Sequence, residues 1–186
     1  MVVFAAMKFF FVGLIALAII VLIAVRLYRG RITVEPKATI ARKVSDVDTI
    51  LIRLDVNTKP SLVVVLGAEG SINRLGTGAV ENTEHDLFIG RTDPAIFAAV
   101  RSHLTEEMFL VLLGRTFQLP NPRGAPCKLT LTFQFKDSTS DGIGFLYGSE
   151  SEGPPREVVD FVTAAVLQTD PWYEDFKRNA ARRKKP

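Results

Sequence analysis

Few residues in this chain have the types and spacing that chemistry requires. The only glycine-rich stretch is Gly67–Gly78, GAEGSINRLGTG. A phosphate cradle needs such a loop between a strand and a helix N-terminus, where backbone amides and the helix dipole converge. Here the glycines lead into Ser71–Leu75, which reads as a strand, and no Lys-Ser or Lys-Thr pair follows a glycine. Neither the P-loop nor the dinucleotide pattern fits, so the glycines read as turn positions that need positive φ. Within the stretch, Ser71, Asn73 and Arg74 can present polar side chains from a rigid edge, and His85 follows in a polar loop. These four form the ligand-binding candidate set, with Arg74 the charge most suited to touch a ligand.

Catalysis finds little else to work with. A catalytic histidine needs a nucleophile and an orienting partner in reach. His85 and His103 are the only histidines, and no G-x-S-x-G or H-E-x-x-H motif accompanies them. His103 near a helix end is explained by the helix dipole alone. Cys127 is the lone cysteine, so no intrachain disulfide forms, and beside a strand it reads as a small buried side chain. Two histidines and one cysteine far apart give no metal-ligand spacing, so neither a metal nor a cofactor is expected. Glu106–Glu107 and Glu174–Asp175 are adjacent in sequence and splay apart on helices. No catalytic residue is assigned.

The elements that would carry these residues alternate in character. Thr49–Val56 places Ile50, Ile52, Leu54 and Val56 on one face and Arg53 and Asp55 on the other, the pattern of a half-buried strand. Asn57–Pro60 reads as a turn, Leu62–Leu66 (LVVVL) as a central strand, Gly67–Gly70 as a hairpin loop and Asp86–Arg91 as a short strand. Asp93-Pro94 starts a helix, Thr105 caps a second over Glu106–Leu113, and Gly114 stops it. Arg115–Leu119 leads into a loop punctuated by Pro120, Pro122, Gly124 and Pro126. Lys128–Lys136 is the cleanest strand, with Leu129, Leu131, Phe133 and Phe135 inward and Thr130, Thr132 and Gln134 wet; Ile143–Tyr147 returns as its hairpin partner. Arg156–Leu167 predicts a sheet-covering helix. Asp170-Pro171 repeats the earlier cap-plus-proline start and predicts a separate last helix over Trp172–Arg183. The fold class expected is α+β: a two-layer domain with a mostly antiparallel sheet and helices on one face, behind a single N-terminal transmembrane helix.

That helix is Phe9–Val25, FFFVGLIALAIIVLIAV, without a charge or a proline. As a helix it reaches about 25 Å, which sets Lys8 and Arg26 near the boundaries of a hydrocarbon core roughly 30 Å thick. A cleaved signal peptide fits less well, because its apolar region is shorter and Ala16-Leu17-Ala18 lies mid-run. The expected layout is an anchor over 1–28, a basic juxtamembrane linker over 29–48, a globular domain over 49–176 and a basic tail over 177–186. Lys/Arg bias after the span keeps the C-terminal domain cytoplasmic rather than periplasmic or extracellular.

Net charge is +3 but strongly segregated. Residues 26–43 carry +5, residues 44–176 carry −9, and the tail carries +6. Arg26, Arg29 and Arg31 before the domain, and Arg182, Arg183, Lys184 and Lys185 after it, are the candidates for contact with anionic lipid headgroups. An acidic domain argues against nucleic acid. Trp172, Tyr173 and Phe176 form the candidate docking patch for a protein partner, since aromatic side chains dominate interface energetics. The expected role is a membrane-anchored binding or assembly module. A tethered enzyme and an envelope-facing translocated domain are the alternatives.

Overall fold

A computed structural model describes residues 42–79, 86–120 and 122–183. The proposed span over residues 9–25 lies outside them, as do Arg26, Arg29, Arg31, His85, Lys184, Lys185 and the side chain of Arg183. Among the described residues no helix is long and apolar enough to cross a membrane. The compact unit begins at Ala41.

Seven strands build one mixed sheet: β1 Val47–Val56, β2 Lys59–Gly67, β3 Ser71–Leu75, β4 Phe88–Arg91, β5 Arg115–Gln118, β6 Pro126–Phe135 and β7 Ser140–Gly148. Their order is β4-β3-β2-β1-β6-β7-β5. Every pairing is antiparallel except β5 with β7, which is parallel. Short turns explain the antiparallel part. Asn57 and Thr58 take positive φ of 50° and 66° between β1 and β2, the sense that suits a two-residue hairpin. Gly70, at φ 88°, turns β2 into β3. β5 cannot form a hairpin with β7, because β6 intervenes in the chain, so it joins the free side of β7 in parallel.

Period-two patterning aims one face of this sheet at the helices. Ile50, Ile52, Leu62, Val64, Leu66, Ile72, Leu129, Leu131, Phe133, Ile143 and Phe145 share a single buried cluster with Phe97, Val100, Met108, Phe109, Val158, Phe161 and Ala165. The latter group comes from three helices: α1 Pro94–Arg101, α2 Glu106–Leu112 and α3 Arg156–Arg183. Asp93 caps α1 by accepting from the Ala95 amide at 2.8 Å, and Thr105 caps α2 by accepting from Met108 at 3.0 Å. Phe133 of β6 meets the rings of Phe109 and Phe161 at 4.9 and 6.3 Å, fastening α2 and α3 to the middle of the sheet.

The last two expected helices are one. α3 runs 28 residues through Pro171, about 42 Å of helix. Proline there removes the bond to the Leu167 carbonyl, but Leu167 lies on an exposed turn, where water can take the freed acceptor. Buried partners hold the helix on both sides of the break. The Thr169 hydroxyl donates to the Ala165 carbonyl at 2.8 Å, and Tyr173 and Phe176 seat the following turns on Phe88.

The described chain enters at one end of the central strand β1. Arg42 Nη1 donates to Asp137 Oδ2 at 2.6 Å in the β6–β7 turn, and its guanidinium lies 4.7 Å from the Phe135 ring. The Val44 amide donates to Glu106 Oε1 at 3.0 Å. From its start beside β6, α3 crosses the sheet and leaves past β4.

Candidate functional site

Strand alternation divides the ligand-binding candidates. On β3, Ile72 and Arg74 point to the helices, while Ser71 and Asn73 point to the opposite face. Arg74 is fully buried, opposite Val64 and Phe88. Its Nη1 donates to the Gly76 carbonyl at 2.7 Å, its Nη2 to Asp170 Oδ1 at 2.9 Å, and its guanidinium lies 5.1 Å from the Tyr173 ring. Tyr173 Oη in turn accepts the Gly76 amide at 3.0 Å. This planar fork therefore ties β3, the turn after it and α3 into one internal clamp. Its Nε is the one buried side-chain polar atom without a partner among the described residues. Arg74 is positioned to hold the fold together, on the far side of the sheet from Ser71 and Asn73.

The aromatic trio is engaged in the same region. Trp172 Nε1 donates to the Arg91 carbonyl at 3.0 Å, and its ring packs on Gly90, where a Cβ would stand 2.8 Å from it. Phe176 meets Phe88 at 5.4 Å and Trp172 at 5.0 Å, and Tyr173 is buried. Together they close the β3–β4 side of the core. Arg182 stays exposed near the end of α3.

The opposite sheet face is covered by none of the three described helices. Its outward positions run across the strands as Ile89, Asn73, Val65, Leu51 and Thr132, with Val63, Arg53 and Thr130 in the next row. Ile89 is 64% exposed and Leu146 37%. Two depressions adjoin on this side and share Lys128 and Leu146. One of about 390 Å³ is bordered by Arg115, Thr116, Thr130 and Asp141. The other, about 500 Å³, is bordered by Asp55, Gln118, Pro122, Cys127 and Tyr147. The floor of the first is low because β7 turns glycine outward; the Thr116 hydroxyl lies 2.9 Å from where a Cβ on Gly144 would be.

The charges and titratable groups around the two depressions are partly paired or buried. Arg53 Nε contacts both Asp55 carboxylate oxygens, at 2.9 and 3.0 Å, whereas Lys128 has no ion pair among the described residues. Burial pushes the Cys127 thiol up, so it stays protonated at neutral pH. Burial, and then the charge of Cys127, push the Tyr147 phenol up to about 12. Neither group is a ready nucleophile or base. Among the described residues no three His, Cys, Asp or Glu side chains gather as a metal site. Lys128, Thr116 and Gln118 carry no motif in the sequence; the wet alternation of Lys128–Lys136 is the only signal for Lys128, and Thr116 and Gln118 have none. In comparisons with known proteins, no family model, curated protein or solved structure matches the chain.

Proposed function

We propose that this chain is a single-pass membrane protein whose α+β domain serves as a binding and assembly module on the cytoplasmic face of the bilayer. The observation that carries the reading is the uncovered side of the sheet, broad and partly apolar, with Lys128, which makes no ion pair among the described residues, between its two depressions. The uncharged run over residues 9–25 supplies the anchor. A second surface suits a protein partner. Leu110 is 85% exposed on α2 beside Val111, and a depression of about 280 Å³ there is bordered by Glu107 and Glu157. Apolar side chains rimmed by carboxylates fit a basic amphipathic segment.

The test is photo-crosslinking of the full-length protein in its native membrane, from a reactive residue placed at Leu110, followed by mass spectrometry. A discrete adduct that disappears with Glu107→Lys supports the module. Extraction of the intact protein by carbonate, or a mature N-terminus beyond Val25, would overturn the anchored reading.

A further inference from the structure

We infer that the free edge of β5 is an interface between two copies of this chain, which pair these edges antiparallel into one continuous sheet. The inference names the assembly contact in the role proposed above, and it rests on that reading for the membrane in which the copies meet.

The two edges of the sheet are finished differently. At β4 the Arg91 carbonyl accepts from Trp172 Nε1, and Trp172 and Phe176 of α3 lie against Gly90 and Phe88. At the other end β5 has a strand on one side only, and no described strand lies beyond it. The Leu119 amide donates to the Leu146 carbonyl at 2.9 Å, so by alternation Arg115, Phe117 and Leu119 turn their backbone groups toward β7. Thr116 and Gln118 turn theirs away from it. Their N–H and C=O groups form the row that one further strand can take up. The row is short. Pro120, at the next position directed to the edge, has no N–H to offer.

Charge selects the strand that fits. Arg115, Arg123, Asp141, Glu150 and Glu152 form no ion pair among the described residues. Two copies related by a two-fold axis at Phe117 set Thr116 of each opposite Gln118 of the other, in the hydrogen-bonded positions. Phe117 then faces Phe117 of the second copy, with Cα atoms about 4.5 Å apart. Each Phe117 is half-buried and stacked on Phe145 at 5.2 Å, so the aromatic layer runs on across the seam. In this register Arg115 falls opposite Leu119, which borders a depression of about 490 Å³ with Glu150 and Glu152. Gly114 falls opposite Pro120, which borders the same depression with Arg123. The Asp141 carboxylate lies 3.5 Å from where a Cβ on Gly114 would stand, so it arrives on the side of Arg123. Unpaired charges of opposite sign are thus brought together twice over by the symmetry. A foreign strand could fill the backbone row, but only a second copy carries this matching set with it. The edge of β4 is covered by α3, so association closes at two rather than growing into a fibre. The two-fold also keeps both helix layers on one side and joins the two uncovered sheet faces into one.

The experiment co-expresses full-length Thr116→Cys and Gln118→Cys copies, in a Cys127→Ala background whose melting curves are checked first, and oxidises the membranes with copper phenanthroline. Both positions are exposed. The expected result is a disulfide-linked species of twice the chain mass, at least about fivefold above that from either variant alone. Opposite Cβ atoms lie about 5 Å apart across such a pair and diagonal ones about 7–8 Å. Ile89→Cys on β4 should give no such species. Arg115→Glu in both copies should lower the yield several-fold, and adding Glu150→Arg with Glu152→Arg should restore it, which damage to the fold would not allow. Equal yields from the mixed and single variants would overturn the inference, as would an unchanged yield with Arg115→Glu. So would a product of another mass, which means a foreign strand, or a ladder beyond two chains. Carbonate extraction of the same membranes reports the anchor separately: a cross-link kept by extractable protein leaves the pairing standing without the anchor.

Discussion

Arg74 shows how a residue's role depends on which side of a strand it occupies. Grouped by sequence, Ser71, Asn73 and Arg74 look like one polar cluster; alternation puts the charge inside and the other two outside. The period was legible, but a buried arginine was not, because its partners Asp170 and Tyr173 lie almost a hundred residues away. Asp170 is 45% exposed, so the pair is worth less than a fully enclosed one and the fork geometry matters more than the charge. Arg74→Lys keeps the charge but loses the fork, and should lower stability by about 1–3 kcal/mol in urea titration. Tyr173→Phe, which strips the acceptor from the Gly76 amide, should cost about 1 kcal/mol. In the β6–β7 turn, the Thr139 hydroxyl, Arg42 and the Thr139 amide hold the Asp137 carboxyl down at about 2, from an ordinary 3.8. A lowered folded-state value means stability that is present above the ordinary value and lost as pH falls toward 2. Asp137→Asn should flatten that part of the pH profile of the urea midpoint.

At the scale of elements, local signals located most strands and the first two helices, because capping residues and alternation act over a few positions. They failed where a distant contact decides. Asp170-Pro171 reads as a helix start with a mechanism, yet packing of Thr169, Tyr173 and Phe176 keeps α3 continuous through it. Similarly, nothing within Arg115–Gln118 tells that it will lie parallel to β7, since that partner is chosen by the free edge of the finished sheet. If α3 bridges its proline under tertiary restraint, Pro171→Ala should restore the bond to Leu167 and raise stability. An interior proline costs about 3 kcal/mol relative to alanine, offset by roughly 1 kcal/mol of unfolded-chain entropy, so a gain of about 1–2 kcal/mol is expected in thermal melts. A loss there would mean that the bend is needed to seat Tyr173 and Phe176.

For the whole molecule, the sequence showed a −9 segment between basic flanks, and the fold carries the last helix across that boundary, where Lys177 and Arg178 pair with Glu174 and Asp175. From the proposed cytoplasmic orientation, a cysteine placed at Gln134 should react with an impermeant maleimide only after the cells are opened. Labelling of intact cells would place the domain outside. The place where the described chain enters the sheet has a mechanical meaning. Arg42 and Val44 feed directly into β1, which is laddered on both sides, to β2 and to β6. Tension drawn through the leading segment therefore loads the middle strand along its length, and two rows of hydrogen bonds must shear together before it yields. A leash fixed to β4 or β5 would instead unzip the fabric one stitch at a time.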